Sequence, residues 1–247
     1  MMRSGNPALR DNTFSVPSIA HGGSDTMTIQ GTVNKSFIML MLLLATAYWS
    51  WYNPQFASIT MIGGFIGGFV LALVIMFKKT TAPYLAPIYA LLEGLALGGL
   101  SLTFEVKFPG IVLQAVGLTF AVFAALLFAY KSKLIHASEN FKLGVAAATG
   151  GIAIFYLVGF VLSLFGVHAV SSIHSVQNSS MLSIGISLVV VVVAALNLVM
   201  DFDFIENGER QKAPKFMEWY GAFGLIVTLI WLYLEMLRLL AKINGRK

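Results

Sequence analysis

The sequence predicts an all-α membrane protein, a bundle of seven transmembrane helices. Of the 247 residues, 57% are hydrophobic and 11% are charged, whereas soluble domains contain about 25% charged residues. Positions 36–77 and 143–200 carry no Asp, Glu, Lys or Arg. The apolar run 188–196 does not alternate in polarity, unlike the strands of a membrane β-barrel. A bilayer accommodates segments of this kind, whereas the core of a soluble domain of this length does not.

Seven segments are apolar and long enough, at about 20 residues, to cross ~30 Å of hydrocarbon as helices. The first ends in four aromatic residues between positions 48 and 52, which is typical of the membrane interface. Asn53 and Pro54 then predict a turn, and Pro109 with Gly110 opens the fourth segment. The predicted helices are 36–52, 58–77, 83–104, 109–130, 143–165, 181–205 and 216–240.

Three regions follow from this pattern. Residues 1–35 form a polar N-terminal tail, rich in Gly, Ser, Thr and Asn over most of its length, which we expect to be mobile. Residues 36–240 form the seven-helix transmembrane domain. Residues 241–247 form a short basic C-terminal tail.

Glycines four residues apart predict close packing of helices. Gly64 and Gly68 lie in the second segment, and Gly94 and Gly98 lie in the third. Small residues at this spacing let helix backbones approach each other in lipid. We expect these glycines to serve packing within the chain rather than a dimer interface.

The distribution of Lys and Arg predicts the orientation in the membrane. The N-terminal tail and the even-numbered connections contain eleven of these residues, whereas the odd-numbered connections contain only Lys107. This places the N-terminus in the cytoplasm. The basic residues after position 237 then lie outside, against the rule. Two arrangements stay open: seven full crossings, or a re-entrant last segment that returns inward, with a break at Gly221 or Gly224.

The composition excludes several kinds of chemistry. Without cysteine there is no disulfide, no thiolate metal site and no cysteine nucleophile. None of the four histidines has a second histidine or an acid at metal-ligand spacing. The formal charge of +5 reports membrane topology rather than a nucleic-acid partner. We therefore expect no enzyme activity, no cofactor and no nucleic-acid binding.

Carboxylates inside apolar segments are the candidate functional residues, because an ionised carboxylate in hydrocarbon costs several kcal/mol. Glu93 lies about 11 residues into the third segment, or ~16 Å along it. We expect Glu93 to line a path through the bundle. The alternative is a protonated glutamate that is hydrogen-bonded to a backbone carbonyl or a serine.

Three acids end the sixth segment, namely Asp201, Asp203 and Glu206. A helix C-terminus disfavours negative charge, so a functional reason competes with the alternative of a solvated helix cap. Asp203 and Glu206 are three residues apart and share one helix face, and we expect both to attract cations. Clustered carboxylate oxygens suit calcium better than a transition metal.

Two further acids belong to the last segment. Glu235 lies inside it, and Arg238, three residues on, offers the alternative of a salt bridge along one helix. Glu218 is expected at the membrane interface, where it would attract cations. If both helices are continuous and the turn lies near residue 210, Asp201 is about 14 Å and Glu235 about 37 Å from the turn. Asp201 then matches Glu218, and it meets Glu235 only if the last helix begins later, at its glycines.

Several short motifs, taken together, resemble one protein family. They are Leu92-Glu93-Gly94-Leu95, Met200-Asp201-Phe202, Leu232-Tyr233-Leu234-Glu235 and the stretch 213–224. With its seven spans and polar tail, the chain resembles the Bax inhibitor-1 family, also called the YccA or transmembrane Bax inhibitor motif family, over about residues 35–243. The stretch 213–224 is similar to the prokaryotic branch of that family.

The resemblance implies a seven-helix bundle with the last helix in the middle, and a pH-sensitive calcium leak. Family members share one proton between two carboxylates on the sixth and seventh helices, and the matching residues here are Asp201 and Glu235. Glu235 departs from the usual Asp by one methylene. Such a pair titrates as one unit, and a calcium ion can transiently replace its proton. Lys78 and Lys79 match a basic residue of the second helix.

The sequence thus predicts an inner-membrane calcium leak, with the lipid bilayer, calcium and protons as its partners. Two alternatives stay open. One is a regulator that transports nothing and binds a membrane AAA protease or another membrane protein, in which case the N-terminal tail matters most. The other is a proton-coupled transporter of a small solute, although no inverted repeat is found. An intramembrane protease ranks last.

Overall fold

The computed structural model describes residues 26–167 and 175–246 of the chain. Each of the seven predicted spans is an α-helix that is long and apolar enough to cross a membrane, so the predicted fold class is confirmed. Short 3₁₀ turns at Pro54–Phe56 and Lys79–Thr81 precede the second and third helices. The helices are α1 Ile29–Trp51, α2 Ala57–Phe77, α3 Ala82–Lys107, α4 Ile111–Lys131, α5 Glu139–Leu164, α6 Met181–Arg210 and α7 Met217–Asn244.

Several of these helices extend beyond the apolar segments that predicted them. The first begins at Ile29 rather than at residue 36, because the Thr28 side chain caps it by accepting a hydrogen bond from the Gly31 backbone N–H at 2.9 Å. At the other ends, α6 continues to Arg210 and α7 to Asn244. The predicted tail boundaries at residues 35 and 241 therefore lie inside helices. Residues 1–25, where a mobile tail is predicted, lie outside the described residues.

The chain divides into two compact units, and α6 and α7 each contribute to both. The described part of the N-terminal unit comprises 26–107 and 201–227. In this unit α1 and α2 pack along α3, and the Tyr89 ring of α3 meets the Phe223 ring of α7 edge to face, with 4.9 Å between centroids.

Glycines bring the backbones of these three helices together. A Cβ atom on Gly64 of α2 would stand 2.5 Å from the carbonyl oxygen of Leu92, and one on Gly98 of α3 would overlap the carbonyl oxygen of Ala47. Gly94 of α3 faces α1 in the same way. The prediction that these glycines serve packing within the chain is confirmed, because a larger side chain at any of them would push two helices apart.

The described part of the C-terminal unit comprises 108–167, 175–200 and 228–246. Its part of α6 buries small apolar side chains, among them Val191, Ala194 and Leu198. Asn197 of α6 donates a hydrogen bond to the Thr149 hydroxyl of α5 at 2.8 Å. A groove of about 550 Å³ between α5 and α6 is lined by apolar residues alone, so it offers a cation no side-chain ligand.

The last helix, α7, is unbroken over 28 residues, from Met217 to Asn244, a length of ~42 Å. Gly221 and Gly224 lie within it without interrupting it. The break at these glycines that the re-entrant alternative included is therefore absent, and the helix is long and apolar enough to cross the hydrocarbon once. This helix is also the most buried of the seven described spans.

Candidate functional site: buried carboxylates

Glu235 lies in the C-terminal unit on α7, with 3% of its side chain exposed. Its Oε1 atom accepts a hydrogen bond from the Arg238 guanidinium at 2.6 Å and one from the Tyr156 hydroxyl of α5 at 3.0 Å. The alternative of a salt bridge along one helix is thus what the structure shows. The other oxygen, Oε2, is buried and has no hydrogen-bond partner among the described residues.

Arg238 is held from two sides. Besides its ion pair with Glu235, it donates a hydrogen bond to the Tyr156 hydroxyl at 3.1 Å, and its guanidinium carbon lies 5.7 Å from the centre of the Tyr156 ring. This combination of hydrogen bond and cation–π contact suits a planar guanidinium. Sequence reasoning names Arg238 but misses Tyr156, because Tyr156 lies 79 positions before Glu235 and no spacing rule links the two.

Lys242 continues the same face of α7 and is completely buried. Its ammonium group donates a hydrogen bond to the Ser187 hydroxyl of α6 at 2.9 Å and contacts the Ser183 carbonyl oxygen at 3.4 Å. Lys242 belongs to the predicted short basic C-terminal tail, because the apolar run stops before it. Helical periodicity could have linked Lys242 to the Glu235 cluster, since positions 235, 238 and 242 share one helical face.

Glu218 lies in the N-terminal unit at the start of α7, and its expected place at the membrane interface stays a prediction. Its side chain is completely buried. Its carboxylate accepts hydrogen bonds from the Thr28 backbone N–H and hydroxyl, both at 2.9 Å, and binds the ammonium groups of Lys215 at 2.9 Å and of Lys35. These contacts make Glu218 an anchor for the first turn of α1.

Further contacts tie the chain before α1 to the connection before α7. The Met27 backbone N–H donates to the Ala213 carbonyl at 2.7 Å, and the Ile29 N–H donates to the Glu209 carboxylate at 2.9 Å. Thr26 and Pro214 form an isolated β-bridge. We call this contact region, residues 26–35 with 209–218, the N-terminal clamp. These two segments are too far apart in the chain for their contact to be predicted from the sequence.

Glu93 is buried in the middle of α3, with 7% of the residue exposed, as the apolar sequence around it predicts. Its carboxyl group occupies the space above Gly68 of α2, where a Cβ atom would overlap Oε1 and stand 3.0 Å from Cδ. A glycine on the neighbouring helix therefore makes room for this acid. Whether Glu93 lines a path stays a prediction.

The three acids of α6 do not end their helix, which corrects the reading of them as a helix C-terminus. The helix continues to Arg210, and polar residues in these additional turns contact the side chains of two of the acids. Asp203 accepts a hydrogen bond from the Asn207 side chain at 2.8 Å, and Glu206 pairs with Arg210 at 2.7 Å on the surface. Among the described residues no three His, Asp or Glu side chains gather at one point as a metal site.

Asp201 of α6 lies beside Gly224 of α7 in the N-terminal unit. Its Oδ1 atom lies 4.0 Å from the place where a Cβ atom of Gly224 would stand. The predicted match with Glu218 treats the whole turn as helix, whereas residues 211–216 are not helical and add no helical rise. The predicted pairing of Asp201 with Glu235, and a calcium ion held between them, stay predictions.

The two lysines predicted as basic partners close α2 at its C-terminal end. Lys78 is exposed, and Lys79 places its ammonium group 5.5 Å from the centre of the Tyr220 ring of α7. The structure therefore gives Lys79 an aromatic partner on the last helix.

Seven spanning helices with acids and a lysine buried among them define a multi-pass helical membrane protein. A family model described as Bax inhibitor 1 like matches residues 6–245, which is nearly the whole chain. The chain belongs to this family. A search of curated proteins finds no match to the chain.

Proposed function

We propose that this protein is a pH-sensitive calcium leak of the inner membrane, with its N-terminus in the cytoplasm. The observation that carries the proposal is the carboxylate of Glu235, buried in a spanning helix with one oxygen bound and the other without a hydrogen-bond partner among the described residues. A buried carboxylate oxygen in this state is stabilised by a proton or by a cation. Calcium takes carboxylate oxygens as ligands.

The resemblance to the family supports the same proposal, because individual acids of this chain match acids of the family. In the resemblance, the acids that govern a calcium leak match Asp201 and Glu235, and a third acid, Glu93, is buried in α3. A leak needs acids inside the membrane because each provides a low-energy position for a cation that has lost part of its water.

The contacts of Glu235 indicate how a proposed pH response would act. In the C-terminal unit, Tyr156 of α5 and Arg238 of α7 contact this carboxylate, and Lys242 follows on α7. Residues 181–200 of α6 contain no Asp, Glu, Lys, Arg or His. A proton on Glu235 would cancel the charge that holds Arg238. We propose that loss of this ion pair changes the packing of α5 against α7 and thereby the leak.

The test is calcium entry into proteoliposomes that contain the purified protein and a trapped calcium indicator, measured from mildly acidic to mildly alkaline pH. We expect wild-type flux to vary with pH. We expect Glu235→Gln and Asp201→Asn to flatten that dependence, because neither amide titrates, and Glu93→Gln to lower flux at every pH. Glu139→Gln, which changes an exposed acid at the start of α5, is the control.

Two results would contradict the proposal. Wild-type vesicles that admit no more calcium than protein-free vesicles at any pH would refute the leak itself. A wild-type flux whose pH profile is unchanged in both Glu235→Gln and Asp201→Asn would refute the assignment of the pH response to these acids.

A further inference from the structure

The cluster around Glu235 contains more positive than negative charge. Within it, α7 presents one carboxylate, Glu235, and two cations, Arg238 and Lys242, on a single face. The neighbouring helices contribute hydroxyl groups to it, from Tyr156 of α5 and from Ser187 of α6. In the part of α6 that belongs to this unit, residues 181–200, the sequence has no acid.

Arg238 already binds one of the two carboxylate oxygens that a metal cation held by both would need. Its guanidinium lies 2.6 Å from Oε1 of Glu235. Calcium requires about six to eight oxygen ligands at 2.3–2.6 Å, so a calcium ion that used both oxygens of Glu235 would first have to displace Arg238.

Helix α7 keeps the Arg238 guanidinium next to Glu235. Glu235 and Arg238 are three residues apart on the unbroken α7, so their side chains remain neighbours whatever the bundle does. The Tyr156 hydroxyl and ring hold the guanidinium from the other side, at 3.1 Å and 5.7 Å. A competitor tethered in this way acts at a high effective concentration.

We propose that Arg238 is a tethered competitor of calcium for Glu235, with Tyr156 as the residue that positions it. This inference rests on the proposed calcium leak and adds its regulation: the protein keeps its own leak small by filling its acidic site with an internal cation. A lysine in place of Arg238 retains the charge but lacks the planar fork that binds Glu235 and Tyr156 together.

The test compares calcium flux in proteoliposomes at one fixed pH and one fixed membrane potential. Arg238→Gln removes the competing charge, and we expect flux to rise about tenfold, the lower end of the effect that local charge has on ion encounter. Arg238→Lys should raise flux by a smaller factor. Lys142→Gln removes a cation from the Lys142–Glu139 pair, which also spans three residues but lies at the surface of the same unit. It should leave flux unchanged.

Tyr156→Phe keeps every charge and the ring, so it tests the proposal even if Arg238→Gln does not fold. Loss of the hydroxyl frees the guanidinium on one side, and flux should rise by about two- to threefold, the factor of one weak hydrogen bond. Equilibrium binding of radioactive calcium to the same detergent-purified variants should tighten in the same order. A purely structural role of Arg238 would not tighten calcium binding.

The outcomes separate the two proposals. If wild-type protein leaks calcium and the Arg238 and Tyr156 variants leak equally or less, the tethered competitor is refuted and the leak stands. If neither wild-type nor any variant carries calcium, the proposed function fails and the inference fails with it.

Discussion

A single methyl group should test the N-terminal clamp. Alanine normally stabilises a helix relative to glycine by up to ~1 kcal/mol, so Gly31→Ala in α1 should be favourable if the helix stood alone. In the structure a Cβ atom at Gly31 would lie inside the carboxyl group of Glu218. Because Glu218 is completely buried, its carboxylate cannot move aside without giving up its partners.

The magnitude follows from those partners. Lys215 and Lys35 have 48% and 17% of their side chains exposed. Both ammonium groups therefore regain water when their ion pairs with Glu218 break, and the loss of these two ion pairs costs little free energy. The two hydrogen bonds from Thr28, each at 2.9 Å, are made to a charged group, and together they contribute about 3 kcal/mol. Subtracting the helix preference of alanine leaves a loss of about 2 kcal/mol in the free energy of unfolding.

The assay is thermal unfolding of the detergent-purified protein, followed by tryptophan fluorescence. For a chain of this size about 2 kcal/mol corresponds to a fall of roughly 4–8 °C in the unfolding midpoint. Gly117→Ala in α4, where an added Cβ meets nothing within 4 Å, should leave the midpoint unchanged or raise it. In a Glu218→Gln background Gly31→Ala should cost less, since the two changes break the same contacts. If Gly31→Ala stabilises as much as Gly117→Ala, the clamp does not contribute to stability.

Two further predictions concern the buried lysine and the orientation. Ser187→Ala should lower the free energy of unfolding by ~1–2 kcal/mol in the assay above, because the Lys242 ammonium loses a hydrogen bond; in a Lys242→Met background the cost should largely vanish, and an equal cost there would contradict the contact. Since the chain has no cysteine, single cysteines report sidedness. An impermeant maleimide should label Gln55→Cys in intact cells and His136→Cys only after permeabilisation, and the reverse pattern would invert the proposed orientation.

Local spacing explains which parts of the candidate site were visible in the sequence. The Glu235–Arg238 pair is three residues apart on one helix, and a salt bridge at that spacing is an expected alternative. The burial of Glu93 follows from the apolar run around it. Both are properties of a single helix, so neither needs knowledge of its neighbours.

The features that the sequence did not predict share one physical cause, which is contact between residues distant in the chain. The burial of Glu218 depends on hydrogen bonds from Thr28, 190 positions away, and the Thr28 hydroxyl that caps α1 is held by the same carboxylate. Such long-range bonds fix a helix start or bury an acid without any change in the apolar pattern. The same holds for Lys242, whose long side chain reaches the serines of α6 after the apolar run of α7 has ended.

The sequence alone determined the class of the protein and the number of its spans, because crossing a bilayer demands about 20 apolar residues in a row, and that demand is local. Only the tertiary structure decided which charge meets which. It bound Glu218 to Thr28 and Lys35, gave Glu235 the hydroxyl of Tyr156, and seated Glu93 against Gly68. Those partners depend on how helices distant in the chain pack together, and residue spacing along a single chain does not specify that packing.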